Sequence, residues 1–141
     1  MASKYNFQTK ELRILELKSS LNPQYEGDQY TIQFEMHNET NQQSLGEGKD
    51  LAGTIRCRFK ISASDSKDEN IYAMIEGTAV GIFTVDPSTD SSEFEKMLRI
   101  NGMVTMLPML RSSVFNVANT LTVRAPMIIP NVNVTAIEWN D

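Results

Sequence analysis

Few residues in this chain could carry bond-making chemistry. There is one histidine, His37, and one thiol, Cys57. Nucleophile–base catalysis needs a base within reach of a nucleophile, and no Ser or Cys is spaced from His37 to suggest such a pair. A single Cys excludes an internal disulfide, and one Cys with one His excludes the usual Cys/His zinc quartets. The carboxylates Glu47, Asp50, Asp65, Asp68 and Glu69 cluster between apolar runs, without the alternating register of a calcium loop. No Walker loop and no GxGxxG is present, so no metal or cofactor is expected. Gly77 and Gly81 interrupt an apolar run and are better explained by close approach of a helix, or by coiling of a strand.

The elements that would position these residues come next. Tyr30 to Met36 alternates, with Tyr30, Ile32, Phe34 and Met36 inward and Thr31, Gln33 and Glu35 outward, the polar face continuing to His37. That is the period of a half-buried strand. Asn38 to Asp50 is polar, holds two glycines and reads as a loop. A second alternation places Ile55, Cys57, Phe59 and Ile61 inward and Thr54, Arg56, Arg58 and Lys60 outward, so Cys57 is expected to be a buried core thiol and His37 a surface residue. The acidic and basic outer faces pair these strands as neighbours, with Glu35 expected near Arg56. Phe7 to Leu21 is a weaker edge strand. Leu12 and Ile14 share one phase and Leu15 and Leu17 the other, which a bulge would reconcile. Asn22 to Asp28 reads as a loop.

Ile71 to Val85 is a strand apolar on both faces. Ile71, Ala73, Ile75, Ala79, Phe83 and Val85 take one side, and Tyr72, Met74, Val80 and Ile82 the other. A sheet with one wet face does not need this, so a cover is expected over that side, a partner subunit, a ligand or another part of the chain, with Tyr72, Met74 and Val80 as the candidate subunit contact. After Asp86-Pro87, several N-caps precede Glu93 and Glu95 and open a short helix that Gly102 is expected to interrupt. A longer helix follows, with Met103, Met106, Leu107, Leu110, Val114, Val117, Ala118 and Leu121 on one face and a kink or restart expected at Pro108. Its other side carries Thr105, Ser112, Ser113, Asn116, Asn119 and Thr120, with Arg111 the one charge. That composition suggests a helix–helix contact between subunits through Ser112, Asn116 and Asn119. The tail from Val123 to Trp139 is apolar and extended, bracketed by Pro126 and Pro130.

The whole chain, 141 residues with net charge −5, reads as one α+β domain that binds neither nucleic acid nor anionic lipid. No stretch has the length of a membrane span and no signal peptide is visible, so a cytoplasmic protein is expected. Without such a signal the N-x-[ST] sequons at Asn38 and Asn133 carry no meaning. The eight Met residues fill core in part. Met109 and Met127 lie off the core stripe, where flexible Met side chains could line a groove for varied apolar partners.

The order of parts resembles the SecB family of export chaperones. The matching pieces are Gly81-Ile82-Phe83, then Met106-Leu107-Pro108-Met109-Leu110-Arg111, then Pro126-Met127-Ile128-Ile129-Pro130-Asn131-Val132-Asn133-Val134. The Pro and Arg of the helix motif match, but its aromatics do not. The resemblance spans about residues 5 to 138 and implies a divergent member. It implies a four-stranded antiparallel sheet in order 1-4-3-2 with a long kinked helix on one face, forming a two-layer structure. It implies a homotetramer, a dimer of dimers, and ATP-independent holding of unfolded or nascent polypeptides, either preproteins or an antitoxin. Client grooves would be lined by Phe83, Met109, Met127, Ile128, Ile129 and Val132. Glu76 stands where members carry an acid shortly before Gly-Ile-Phe, which implies docking to the SecA motor. The sequence ends at Asp141, before the second long helix and basic tail of export-dedicated members, so a C-terminally short member is expected. The competing expectation is a non-catalytic scaffold subunit whose apolar surfaces serve only self-assembly.

Overall fold

The computed structural model describes residues 6–22, 29–67, 69–121, 123 and 125–140. The expected loop around Pro23 and Gly27, and the carboxylate Asp68, lie outside them. Four long strands, β1 (Gln8–Leu21), β2 (Tyr30–Ser44), β3 (Leu51–Asp65) and β4 (Ile71–Val85), form one antiparallel sheet in the order β1-β4-β3-β2. This is the order the resemblance implied. β2 to β4 follow one another as hairpins, and β4 ends between β3 and β1, a Greek-key arrangement.

One face of the sheet is dry. Ile55, Cys57 and Ile61 of β3 and Ile75, Ala79, Phe83 and Val85 of β4 are fully buried there, as the alternation required. Helices α1 (Ser91–Met97) and α2 (Met103–Thr120) cover it, contributing Phe94, Met103, Met106, Leu110 and Val114. Asp90 caps α1, accepting from the Ser92 amide and hydroxyl. Glu93 sits in the first turn, where a carboxylate favours the helix dipole.

Four local expectations are corrected. β2 does not stop at Asn38 but runs to Ser44, leaving only residues 45–50 as the loop. Its polar inward residues Thr40 and Gln42 are held by hydrogen bonds to the helix layer rather than by apolar burial, so hydropathy missed them. The longer hairpin also sets the register. Glu35 faces Lys60, and Arg56 instead faces Glu39, at 3.9 Å. Gly102 does not interrupt the helix. Leu98–Gly102 is a single π-helical stretch that joins α1 to α2. A Cβ on Gly102 would lie 2.5 Å from Ile55 Cδ1, so this glycine lets the helix sit on the sheet. α2 runs on through Pro108, which lies on the exposed side with Val104, where a carbonyl without an amide partner can be hydrated.

The fourth correction concerns Tyr72. A register shift between Ala63 and Ser64 inserts an extra residue in β4, so Ser64 faces Ile71 while Ala63 faces Ala73. Tyr72 joins the core, its ring 5.2 Å from that of Tyr30, and Ile71 is turned out to solvent. It cannot be the open interface residue that strict alternation suggested. The bulge expected in β1 is present, between Ile14 and Glu16. It leaves Leu12, Ile14 and Leu17 facing Gly81, Ala79 and Gly77. Gly81 admits Met106 and Phe83 and Gly77 admits the Glu16 carbonyl, so helix approach explains the first glycine and the β1 bulge the second.

Candidate functional site

The candidate site is built on the outward side of α2. A solvated helix normally turns Lys and Glu outward. Here the exposed positions include Val104, Pro108, Ser112, Phe115, Asn116 and Asn119, and Ile100 of the π-helical stretch before them is exposed too. Val104 is 53% exposed and Phe115 56%. The hydroxyls on this helix are largely spent on the helix itself. Thr105, Ser113 and Thr120 each donate to the carbonyl four residues back, at 2.8, 2.9 and 2.9 Å. The face is therefore less polar than its composition suggests.

The tail lies beside it. From Ala125 to Ile129 the chain makes two three-residue turns, the Met127 amide donating to the Ala125 carbonyl and the Ile128 amide to the Pro126 carbonyl, both at 2.9 Å. Alternate residues Ala125, Met127 and Ile129 are buried while Pro126 and Ile128 point out. Arg111 ties the tail to α2 by donating to the Pro130 carbonyl at 3.3 Å. Between helix and tail runs a shallow groove walled by Arg111, Ser112, Phe115, Met127 and Ile128, with Ile128 62% exposed at its rim.

This geometry redistributes the expected groove residues. Ile128 is open and Met127 contributes to the floor. Phe83, fully buried under the ring of Phe7 at 5.3 Å, and Ile129, 2% exposed, are core residues and cannot present a surface. Met109 is half-buried against the core. Val132 belongs to a different cleft, bounded by Phe34 and Met36 of β2 and by Ala136 and Ile137. Phe115 and Val104 were missed because the periodic pattern was read for its buried face. The signal was available: two large apolar residues at positions that the core stripe leaves outside.

The helix-free face of the sheet is charged rather than apolar. Register aligns Glu35, Lys60, Glu76 and Lys18 in one row across all four strands, with His37, Arg58, Thr78 and Glu16 beside it. Val80 lies between Arg13 and Arg56, and Met74 between Ser20 and Ser62. Both are half-buried in the sheet itself, where long stems of basic residues can cover apolar neighbours. Glu76 has a lysine on each side, which offsets its charge. His37 is exposed on this face, and Cys57 is sealed in the core, its thiol pushed up to about 12 by burial. Asn38, one of the two sequon residues, is fully buried.

A polar cluster joins α1 to β2. Burial pushes the Glu95 carboxyl upward. Hydrogen bonds from Thr40, Gln42 and Arg99, with the charge of Arg99, outweigh that and hold it below its usual value. Gln42 also donates to the Ser91 carbonyl at 3.0 Å. Among the described residues no group of three or more His, Cys, Asp and Glu could hold a metal ion, and no helix is long and apolar enough to cross a membrane.

No protein-family model matches the chain, and no curated protein sequence does. Solved structures do. One is the SecB-like chaperone Rv1957 of Mycobacterium tuberculosis, in complex with a ChAD peptide from the antitoxin Rv1956 HigA1. It superposes with a TM-score of 0.70 at 12% identity, covering 90% of this chain and 91% of that one. Another is a protein of unknown function from Streptococcus agalactiae, with a TM-score of 0.52 at 10% identity, covering 92% and 100%. At these identities the likeness is one of fold, and the fold is SecB-like.

Proposed function

We propose that this protein is an ATP-independent holdase chaperone that binds unfolded polypeptides along exposed apolar surface, as a divergent SecB-like protein. The observation that carries the reading is the groove between α2 and the tail, with Phe115 and Ile128 open beside it. Apolar burial at about 25 cal/mol per Å² would supply affinity for segments of many sequences. The chain is poor in nucleophile–base pairs, which agrees with a non-enzymatic role.

Of the two client classes, an antitoxin is favoured over preproteins, because the similar mycobacterial chaperone was solved with an antitoxin peptide. Docking to SecA through Glu76 has less support here, since Lys18 and Lys60 flank that acid. Assembly into a homotetramer in the cytoplasm belongs to the same proposal. Exposed Leu12, Leu15 and Leu17 on the open edge strand β1 offer one contact surface, and Val104, Asn116 and Asn119 on α2, outside the groove, another.

The test is suppression of aggregation of a chemically denatured model protein, without nucleotide, together with native mass spectrometry of the oligomer. Slowed aggregation and a client-bound oligomer are the expected results. A purified oligomer that neither slows aggregation nor retains an unfolded chain would overturn the reading and leave the scaffold role.

A further inference from the structure

The tail has two halves of different character. Ala125, Met127 and Ile129 are locked into the core, and Arg111 fixes Pro130. Beyond that point none of the described residues is fully buried. Val132, Val134, Ile137 and Trp139 only lean against the core. This second half lies along β2, whose outer edge is otherwise unpaired in the sheet. It is held by one parallel bridge between Asn38 and Trp139, in which the Asn140 amide donates to the Asn38 carbonyl at 2.8 Å, and by the Arg99 guanidinium 5.4 Å from the Trp139 ring. The fit is loose. A cleft remains between the segment and Phe34 and Met36.

One residue beneath it is out of balance. The Asn38 side chain is fully buried, and neither its amide nitrogen nor its oxygen has a hydrogen-bond partner. A buried amide without partners is costly, so the packing of the tail on β2 is incomplete at this point. The tail reaches the backbone of Asn38 but leaves its side chain unmet.

We propose that residues 131–140 are a displaceable strap, and that an extended, apolar polypeptide client takes their place by adding as a strand to the edge of β2. This rests on the holdase reading and adds to it a second binding lane, along β2, separate from the groove of Phe115 and Ile128. The strap itself supports this choice of occupant: it sets Val132, Ala136 and Ile137 over Phe34 and Met36, bridges the edge at Asn38 and ends in an aromatic anchor, while a 3-10 turn at Val134–Ala136 keeps it from pairing further as a strand. Main-chain hydrogen bonds would give the client affinity without sequence preference, and the lane over Phe34 and Met36 would take alternate apolar side chains. The free protein is then mostly closed, so its apparent affinity is reduced by the fraction of time the strap is off.

Trp139 is the one tryptophan of the chain, so its emission reports the strap. The probe is reduced, carboxymethylated ribonuclease A, an unfolded chain without tryptophan. Binding is expected to shift Trp139 emission to the red and open it to acrylamide. Trp139→Ala is expected to tighten binding about tenfold. Asn38→Cys with Trp139→Cys, in a Cys57→Ser background, closes the strap when oxidised. It is expected to lose binding at least about tenfold and recover it on reduction. Client bound with Trp139 emission unchanged, and equal binding by the oxidised and reduced lock, would overturn the strap while leaving the holdase intact. Binding by Trp139→Ala but not by the unaltered protein would support the strap. Binding by neither would overturn both.

Discussion

The Arg99 guanidinium lies 5.4 Å from the centre of the Trp139 ring while its Nε donates to Glu95 at 3.2 Å. One side chain thus links the helix layer, through Glu95 to β2, with the tail. The stacking contact should be measurable as a coupling energy. A double-mutant cycle of Arg99→Ala and Trp139→Ala, read by urea unfolding, is expected to give about 0.5–1 kcal/mol. Strictly additive losses would mean that the ring and the guanidinium act independently.

Glu95 gives the fold an acid-sensitive contact. Its carboxyl titrates lower in the folded protein than its ordinary 4.5, so the unfolded chain takes up the proton first as pH falls. The stability it contributes is complete above the ordinary value and is lost as pH falls through the lowered one. Glu95→Gln is expected to be less stable than the unaltered protein at neutral pH, with the difference shrinking below about pH 4.5. Chemical denaturation at several pH values checks this. A gap that stays constant with pH would show that the charge is immaterial.

Gly77 has no room for a side chain. A Cβ there would lie 2.4 Å from the Glu16 carbonyl oxygen, and that atom belongs to backbone held in the sheet next to the β1 bulge. Gly77→Ala is expected to cost about 1–3 kcal/mol and to raise amide exchange selectively in β1. Unchanged stability would mean that the edge strand yields without resistance.

The exposed groove residues should separate binding from folding. Phe115→Asp and Ile128→Asp replace open side chains and are expected to change stability by no more than about 0.5 kcal/mol. Each is expected to weaken suppression of aggregation several-fold. Full chaperone activity in both variants would move the client site elsewhere.

Cys57 serves as an internal reporter. Its thiol is sealed in the core and pushed up to about 12, so a thiol reagent should react only through opening of the sheet. Labelling is expected to be at least about a thousandfold slower than for the denatured chain, and to speed up with urea along the global unfolding curve. Fast labelling of the native protein would reveal a local opening at the β2–β3 pair.

Much of this molecule was legible in order of residues alone. The inward phases of β2 and β3, the buried stripe of α2 and the bulge in β1 follow from periodicity, because a residue's side of a strand or helix depends only on its neighbours along the chain. The need for an unusual surface was legible too, in a helix whose second face carries no Lys or Glu. Strand order came through resemblance rather than periodicity.

What the sequence left open were matters of register and lane. The hairpin loop, not the charge pattern, decided that Glu35 meets Lys60 and Glu39 meets Arg56. A one-residue bulge turned Tyr72 inward and Ile71 out, because a slip of one exchanges the faces of a strand. Phe83, Met127, Ile128 and Ile129 are all apolar, yet only Ile128 stands open: Phe83 lies under Phe7 in the core, and the tail buries alternate residues in the phase that packing has chosen. That Asn38, Trp139, Arg99 and Glu95 meet depends on where the tail crosses β2. Such contacts join residues far apart in the chain, and no local pattern encodes them.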